Sequence, residues 1–129
     1  MMRKILLTLL TLSLTVPALA ADKTVLRCTT TQGKQLLVTE SKNAFRYRYG
    51  RPGKPELVFS NGRAEALERS QTGTLILRNG GNYFYVIYRD GSNIGVRVIK
   101  GSSPEDGQLL TDLACKGAVT LNFPAALND

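Results

Sequence analysis

The stretch Ala44-Phe45-Arg46-Tyr47-Arg48-Tyr49 alternates strictly between aromatic and basic side chains after its first residue. In an extended strand, successive side chains point to opposite faces of the sheet. The three aromatic residues therefore share one face, and the two arginines share the other. This pattern predicts a β-strand with one face in a hydrophobic core and the other in water.

Turn signals on both sides of this strand extend the same interpretation along the chain. They recur roughly every ten residues, a spacing typical of a β-meander, a sandwich or a barrel. The signals are Gln32-Gly33-Lys34, Ser41-Lys42-Asn43, Gly50-Arg51-Pro52-Gly53, Asn61-Gly62, Asn79-Gly80-Gly81 and Asp90-Gly91.

The segments between the turn signals are mostly rich in Val, Ile, Leu, Thr, Tyr or Phe, which favour strands. We expect strands at residues 24–31, 35–40, 44–49, 56–60, 74–78, 83–89, 94–100 and 108–115. The segment 83–89 is apolar on both faces until Arg89, which predicts a central strand. The expected fold is all-β: a single antiparallel meander of about eight strands that forms a small barrel or sandwich.

Three segments depart from the strand pattern. Residues 63–71 contain several good helix formers, which predict a single helical turn or a loop. Residues 101–107 form a polar loop. In the tail after Cys115, apolar residues at period two predict one further edge strand before Pro124 stops the pairing.

The two cysteines, Cys28 and Cys115, predict one disulfide bond. An even pair of cysteines in an exported chain is normally oxidised. Closing a loop of this size stabilises a fold by about 4–5 kcal/mol in the chain-entropy model.

The first 20 residues predict export. Arg3 and Lys4 precede an apolar run, and Pro17-Ala18-Leu19-Ala20 resembles an A-x-A cleavage site. We therefore interpret residues 1–20 as a signal peptide and residues 21–129 as a single β domain. The expected location is the periplasm or the medium, with no membrane span after cleavage.

The charge balance is basic. The chain has 17 Lys and Arg against 10 Asp and Glu. Loss of Arg3 and Lys4 with the signal peptide leaves a net charge of about +5. A basic excess favours anionic partners, although it also aids solubility.

The chain contains no histidine, and both cysteines are expected to be oxidised. These features exclude Ser-His-Asp and Cys-His nucleophilic sites and most zinc or copper ligand sets. We therefore expect no catalytic residues, no metal and no cofactor. A carboxylate-dependent glycosidase remains as a minor alternative, but no spacing of the acids selects a catalytic pair.

The candidate binding site combines basic and aromatic residues in one hairpin. It consists of Arg46, Arg48, Tyr49, Arg51 and Lys54, with Arg97 beside them if the fold allows. Arg and Tyr are favoured at binding hot spots. The alternative is that the arginines form an ordinary solvated face and the tyrosines belong to the core.

The segment from Tyr47 to Leu57 resembles small exported bacterial proteins of uncharacterised function. The overall plan is similar to that of the periplasmic inhibitors of C-type lysozyme, which are compact exported β-barrels. That family carries a Ser-Gly-x-x-Tyr motif, and Ser70-Gln71-Thr72-Gly73-Thr74 departs from it. Of the second family motif, Tyr88-Arg89-Asp90-Gly91-Ser92 matches only a tyrosine and a hydroxyl. Because neither motif is reproduced, the resemblance assigns no residue a role.

These observations predict a non-enzymatic periplasmic binding or inhibitor module that recognises a protein or an anionic envelope component. The alternative is a structural or accessory envelope protein without a ligand of its own. We expect a monomer that does not bind nucleic acid, because no recognised nucleic-acid-binding module is present.

Overall fold

A computed structural model describes residues 22–127 of the chain. The predicted signal peptide therefore lies outside the described residues. The strands are β1 (Lys23–Thr30), β2 (Gln35–Glu40), β3 (Ala44–Arg51), β4 (Lys54–Gly62), β5 (Thr74–Asn79), β6 (Tyr83–Asp90), β7 (Asn93–Lys100) and β8 (Gln108–Leu121). Helix α1 (Arg63–Arg69) lies between β4 and β5, and a 3₁₀ turn (Ala125–Leu127) follows β8.

The eight strands form one antiparallel sheet in the order β4-β3-β2-β1-β8-β7-β6-β5. Strands adjacent in sequence pair with each other, except β4 and β5, which α1 separates. The first strand, β1, also pairs with the last strand, β8. The sheet curls into a nearly closed barrel whose open seam lies between β4 and β5. The expected all-β meander with one disulfide is confirmed. Of the two expected architectures, barrel and sandwich, the structure has the barrel.

Strand β8 differs from the expectation, because the tail does not form a separate edge strand. Residues 108–114 pair with β7, and residues 115–121 continue the same strand and pair with β1. Gly117 interrupts the second pairing at a φ of 71°, a conformation that favours glycine. This one bent strand therefore joins the two halves of the sheet.

The barrel interior is filled by the apolar face of each strand, as the alternation in β3 predicted. Phe45 and Tyr47 are fully buried, and Tyr49 is nearly so. The ring of Tyr47 stacks on Phe59 of β4 with centroids 4.8 Å apart and lies 4.9 Å from Tyr85 of β6. Aromatic contacts therefore connect the strands on the two sides of the seam.

Helix α1 is longer than the predicted single turn. It spans seven residues, and its Ala66 is 1% exposed against the core. Burial of this small side chain allows the helix to lie against β5 and cover part of the seam. Tertiary packing thus extends a segment whose sequence alone supports only marginal helix.

Asn61, the second-last residue of β4, bonds the two sides of the seam. Its Nδ2 donates to the carbonyl oxygen of Arg78 on β5, and its Oδ1 accepts from the Arg78 backbone N–H, both at 2.6 Å. The side-chain amide takes the place of a backbone peptide in a strand pair. Since Asn61 is 7% exposed, these bonds are shielded from water.

The predicted disulfide is confirmed. Cys28 of β1 and Cys115 of β8 are bonded, with Cα atoms 5.7 Å apart and a sequence separation of 87. The bond links the two strands whose pairing joins the ends of the meander. Disulfides persist in oxidising compartments, so this bond fits a secreted protein.

We predict that Asn61→Asp destabilises the fold by about 2 kcal/mol or more. The carboxylate cannot donate to the Arg78 carbonyl, and it places an unpaired charge in a buried site. Urea denaturation followed by circular dichroism measures the change. The matched control is Asn82→Asp in an exposed turn; equal stability of the two variants would contradict the role of Asn61 at the seam.

We predict that reduction of the disulfide lowers the free energy of unfolding by about 4–5 kcal/mol, because the unfolded chain regains the freedom of a loop closed over 87 residues. The measurement is urea denaturation of the oxidised and the reduced protein. A double Cys28→Ser, Cys115→Ser variant separates the loss of the bond from any effect of the reductant. A change below about 1 kcal/mol would show that β1–β8 pairing persists without the bond.

Candidate functional site

The outer face of β3 carries the two arginines that the alternating sequence placed there. Arg46 and Arg48 are exposed, while their neighbours Phe45, Tyr47 and Tyr49 are buried in the barrel. The division of this strand between core and solvent is therefore as predicted.

Strand register places further residues beside Arg48 on the outer face. Arg48 lies opposite Leu37 of β2 and Val58 of β4, and Leu37 lies opposite Arg27 of β1. Adjacent strands are about 4.8 Å apart, so the backbones of Arg27 and Arg48 lie about 10 Å apart. Arg27 is exposed and joins the β3 arginines on one surface.

The hairpin between β3 and β4 adds two more cations at its tip. Arg51 and Lys54 lie opposite each other at the ends of the two strands, and both are exposed. At Gly50, just before the turn, the backbones of β3 and β4 approach each other closely. The φ of Gly50 is 144°, and a Cβ there would lie 2.5 Å from the Glu56 backbone nitrogen. We call the exposed cations Arg27, Arg46, Arg48, Arg51 and Lys54 the arginine face.

An open depression of about 220 Å³ lies within the arginine face. Its wall combines the two guanidinium-bearing residues Arg48 and Arg51 with apolar and backbone surface. The lining residues are Gln35, Leu37, Arg48, Gly50, Arg51, Pro52 and Gly53. The depression is large enough for a small anionic group such as a carboxylate, a phosphate or a sulfate.

The charge of the arginine face is not neutralised by neighbouring acids. Within residues 22–127, the ion pairs are Lys34–Glu56, Arg63–Glu40 and Arg97–Asp112. None of the five cations of the arginine face takes part in them. Unpaired cations on one surface produce a positive potential that attracts anions.

Tyr49, which the sequence grouped with these cations, does not lie on the arginine face. Its ring is buried, and its hydroxyl donates to Gln32 Oε1 at 3.1 Å. Lys34 Nζ lies 5.7 Å from the ring centroid. Because β3 alternates, Tyr49 points into the barrel end and not toward a ligand on the arginine face.

Arg97 also lies away from the arginine face. It is on β7, which β2, β1 and β8 separate from β3 in the sheet. Its Nε lies 3.5 Å from Asp112 Oδ2, and its guanidinium carbon lies 3.8 Å from the centre of the Tyr88 ring. The strand order and the Asp112 pair together remove Arg97 from the candidate site.

Tyr88, Asp112 and Arg97 form a separate polar cluster on the outer side of β6, β7 and β8. The Tyr88 hydroxyl donates to Asp112 Oδ1 at 2.8 Å. Burial, followed by this hydrogen bond, raises the pKa of Tyr88 from 10.0 to about 12. A phenol that holds its proton this firmly is a poor general base at neutral pH, so the cluster fits a structural role.

Three of the acids in the described region are paired with basic side chains. Glu40, Glu56 and Asp112 are each engaged with a cation. Among residues 22–127, no cluster of three or more His, Cys, Asp or Glu could hold a metal ion. In that same range, no helix has the length and apolar character needed to cross a bilayer.

The chain matches no protein-family model, no curated protein and no solved structure. Inference about its function therefore rests on the sequence and on the geometry of the described residues.

Sequence reasoning missed Arg27, although it found the four cations of the β3–β4 hairpin. The hairpin cations are close in sequence, so one turn brings them together. Arg27 joins them only through the β1–β2 and β2–β3 registers. The available signal was its position between buried Leu26 and Cys28, which places its side chain on the outer face of β1.

We predict that Asp112→Asn lowers the pKa of Tyr88 but leaves it above 10.0, because burial is the larger cause of the shift. The native state holds this proton more tightly than the unfolded chain does. Tyr88 therefore stabilises the fold fully below pH 10 and loses that contribution as the pH rises toward about 12.

The measurement is tyrosinate absorbance against pH, with the Tyr88→Phe titration subtracted. Asp106→Asn, in the loop before β8, is the matched control and leaves the Tyr88 pKa unchanged. A Tyr88 pKa that does not respond to Asp112→Asn would contradict the hydrogen bond as a cause of the shift.

Proposed function

We propose that this protein is a non-enzymatic binding module that recognises an anionic partner, either a protein or an envelope component, through the arginine face. The observation that carries the proposal is a group of five exposed cations, two of which line an open depression, with no carboxylate partner in the described residues. An ordinary solvated surface mixes charges of both signs. This surface concentrates one sign.

The chemistry of arginine supports recognition rather than solubility alone. A guanidinium presents several N–H donors in a plane and binds carboxylate, phosphate or sulfate groups with two parallel hydrogen bonds. Leu37 and Val58 lie next to Arg48 and add apolar contact. A combination of cationic and apolar contacts is typical of binding surfaces.

The proposed location is the periplasm. The basic and apolar residues 1–20 support a signal peptide, and the Cys28–Cys115 disulfide supports an oxidising compartment. An anionic partner in that compartment is accessible to the arginine face once the chain has folded.

The proposal is for a binding protein rather than an enzyme. The chain contains no histidine. The carboxylates Glu40, Glu56 and Asp112 are held by cations instead of facing one another across an open cleft. These features weigh against the glycosidase alternative, which needs two carboxylates on either side of a bound sugar.

Inhibition of lysozyme is a narrower form of the proposal. C-type lysozymes are typically basic, so the arginine face would repel them at long range. A saturable loss of cell-wall hydrolysis by a C-type lysozyme, retained after charge reversal of the arginine face, would assign that role to a different surface.

We predict that the triple variant Arg46→Glu, Arg48→Glu, Arg51→Glu weakens binding to an anionic probe by about a hundredfold. The three contacts contribute about 1 kcal/mol each. The probes are heparin and polyglutamate, measured by calorimetry at several salt concentrations. Because the substituted residues are exposed, the melting temperature changes by only a few degrees.

The matched control reverses three exposed cations outside the arginine face: Lys42→Glu, Arg69→Glu, Arg89→Glu. Both variants have the same net charge, so a difference between them isolates the contribution of the arginine face. Equal affinities in the two variants would show that binding follows net charge alone and would contradict the proposal.

A further inference from the structure

The two strands beside the open seam differ in how their free edges are satisfied. The backbone N–H groups of Thr74, Ile76 and Arg78 face outward from β5, and each has a partner across the edge. They donate to Gln71 O, Ser70 Oγ and Asn61 Oδ1 at 2.9, 2.9 and 2.6 Å. The residues around α1 thus cap the edge of β5.

The edge of β4 is open where β5 does not cover it. The Arg63 N–H donates to Asn43 O at 2.8 Å, so these two residues form a hydrogen-bonded pair of the β3–β4 ladder. Hydrogen-bonded pairs alternate along an antiparallel ladder. Asn61 and Phe59 therefore bond to β3, while Val58 and Ser60 direct their N–H and C=O groups away from it.

Within residues 22–127, these outward groups of β4 have almost no partner. The Ser60 carbonyl accepts from the side-chain amide of the adjacent Asn61 at 2.9 Å. No partner is present in that range for the Ser60 N–H or for the two backbone groups of Val58. Val58 is 40% exposed, so solvent and a partner can reach this edge.

The arginines of β3 lie directly behind this open edge. Arg48 is opposite Val58, and Arg46 is opposite Ser60. A strand added beyond β4 would lie about 10 Å from β3 at ordinary strand spacing. Long arginine and glutamate side chains can span that distance over the small side chains of Val58 and Ser60.

The spacing along the strands also matches. Alternate residues of any strand are about 7 Å apart and share one face. Acidic residues at alternate positions of an added strand would therefore meet Arg46 and Arg48 in register. We propose that the β4 edge at Val58 and Ser60 binds an extended acidic polypeptide by strand addition, with its carboxylates on Arg46 and Arg48.

Charge selects this occupant over a second copy of the chain. Pairing of two β4 edges would place the Arg46 and Arg48 rows of the two copies about 14 Å apart on one outer surface, where they add like charge and give each other no partner. An acidic strand instead satisfies the backbone groups and the unpaired cations together. Strand addition of this kind obtains affinity from the main chain and specificity from alternate side chains.

This inference rests on the proposed function, because it uses two cations of the arginine face. The test distinguishes failure of strand addition from failure of the proposed function. The main probe is a synthetic peptide in which glutamate alternates with threonine. Heparin is the second probe, since it binds cations but cannot extend a sheet. The edge variant is Ser60→Pro, which removes an outward N–H but no bond to β3; its control is Ser60→Ala.

We expect the peptide to bind the wild-type protein saturably. Ser60→Pro weakens the affinity for the peptide at least tenfold, whereas Ser60→Ala retains it. Both variants retain heparin binding. A second measurement uses the wild-type protein and the same peptide with an N-methyl group on every backbone nitrogen. This peptide has no N–H to donate from either of its edges, and its weaker binding would support strand addition even if Ser60→Pro fails to fold.

Equal binding of the peptide by folded Ser60→Pro, or of the methylated and unmethylated peptides by the wild type, would overturn strand addition and leave the arginine face in place. Heparin binding without peptide binding would do the same. A concentration-dependent dimer that Ser60→Pro abolishes would assign the edge to a second copy and overturn the acidic occupant. Loss of the proposed function itself would appear separately, as equal heparin binding by the two triple charge-reversal variants.

Discussion

The pairing of β1 with β8 is the constraint on which the rest of this structure depends. Two four-strand meanders lie on either side of it: β1 bonds to β2 in one, β8 bonds to β7 in the other, and β1 and β8 bond to each other. Without this pairing the chain would form two small, separate sheets, each with too little apolar surface for an independent core. The Cys28–Cys115 bond holds the same two strands, so covalent and hydrogen-bonded links act at one place.

Joining the meanders fixes which surfaces become neighbours. Strand β1 comes to lie beside β2 and β3, so Arg27 adds to the cations of the hairpin. Strand β7 lies on the far side of β8, so Arg97 pairs with Asp112 and not with that group. The composition of the arginine face is thus a consequence of sheet order, not of sequence proximity.

Local pattern and long-range pairing differ in how well the sequence predicts them. The alternation in β3 predicted its buried and exposed faces, and two cysteines behind a predicted signal peptide predicted one disulfide, because both depend on simple local or pairwise rules. The continuity of β8 and the position of Arg97 depend on registers between distant strands. Asn61 looked like part of a turn, since an Asn-Gly pair carries no sign that its amide will bond to Arg78 across a seam.

The incomplete closure of the barrel explains why its two edges are unequal. Helix α1 follows β4 directly and returns along β5, so the capping groups it positions reach β5 and leave part of β4 unpaired. Natural sheets commonly protect such an edge with charge, proline or a bulge. Strand β4 has Lys54, Pro55 and a bulge near Glu56, but these devices stand at its beginning. The stretch from Val58 to Ser60 lacks them, and it is the stretch that lies beside Arg46 and Arg48.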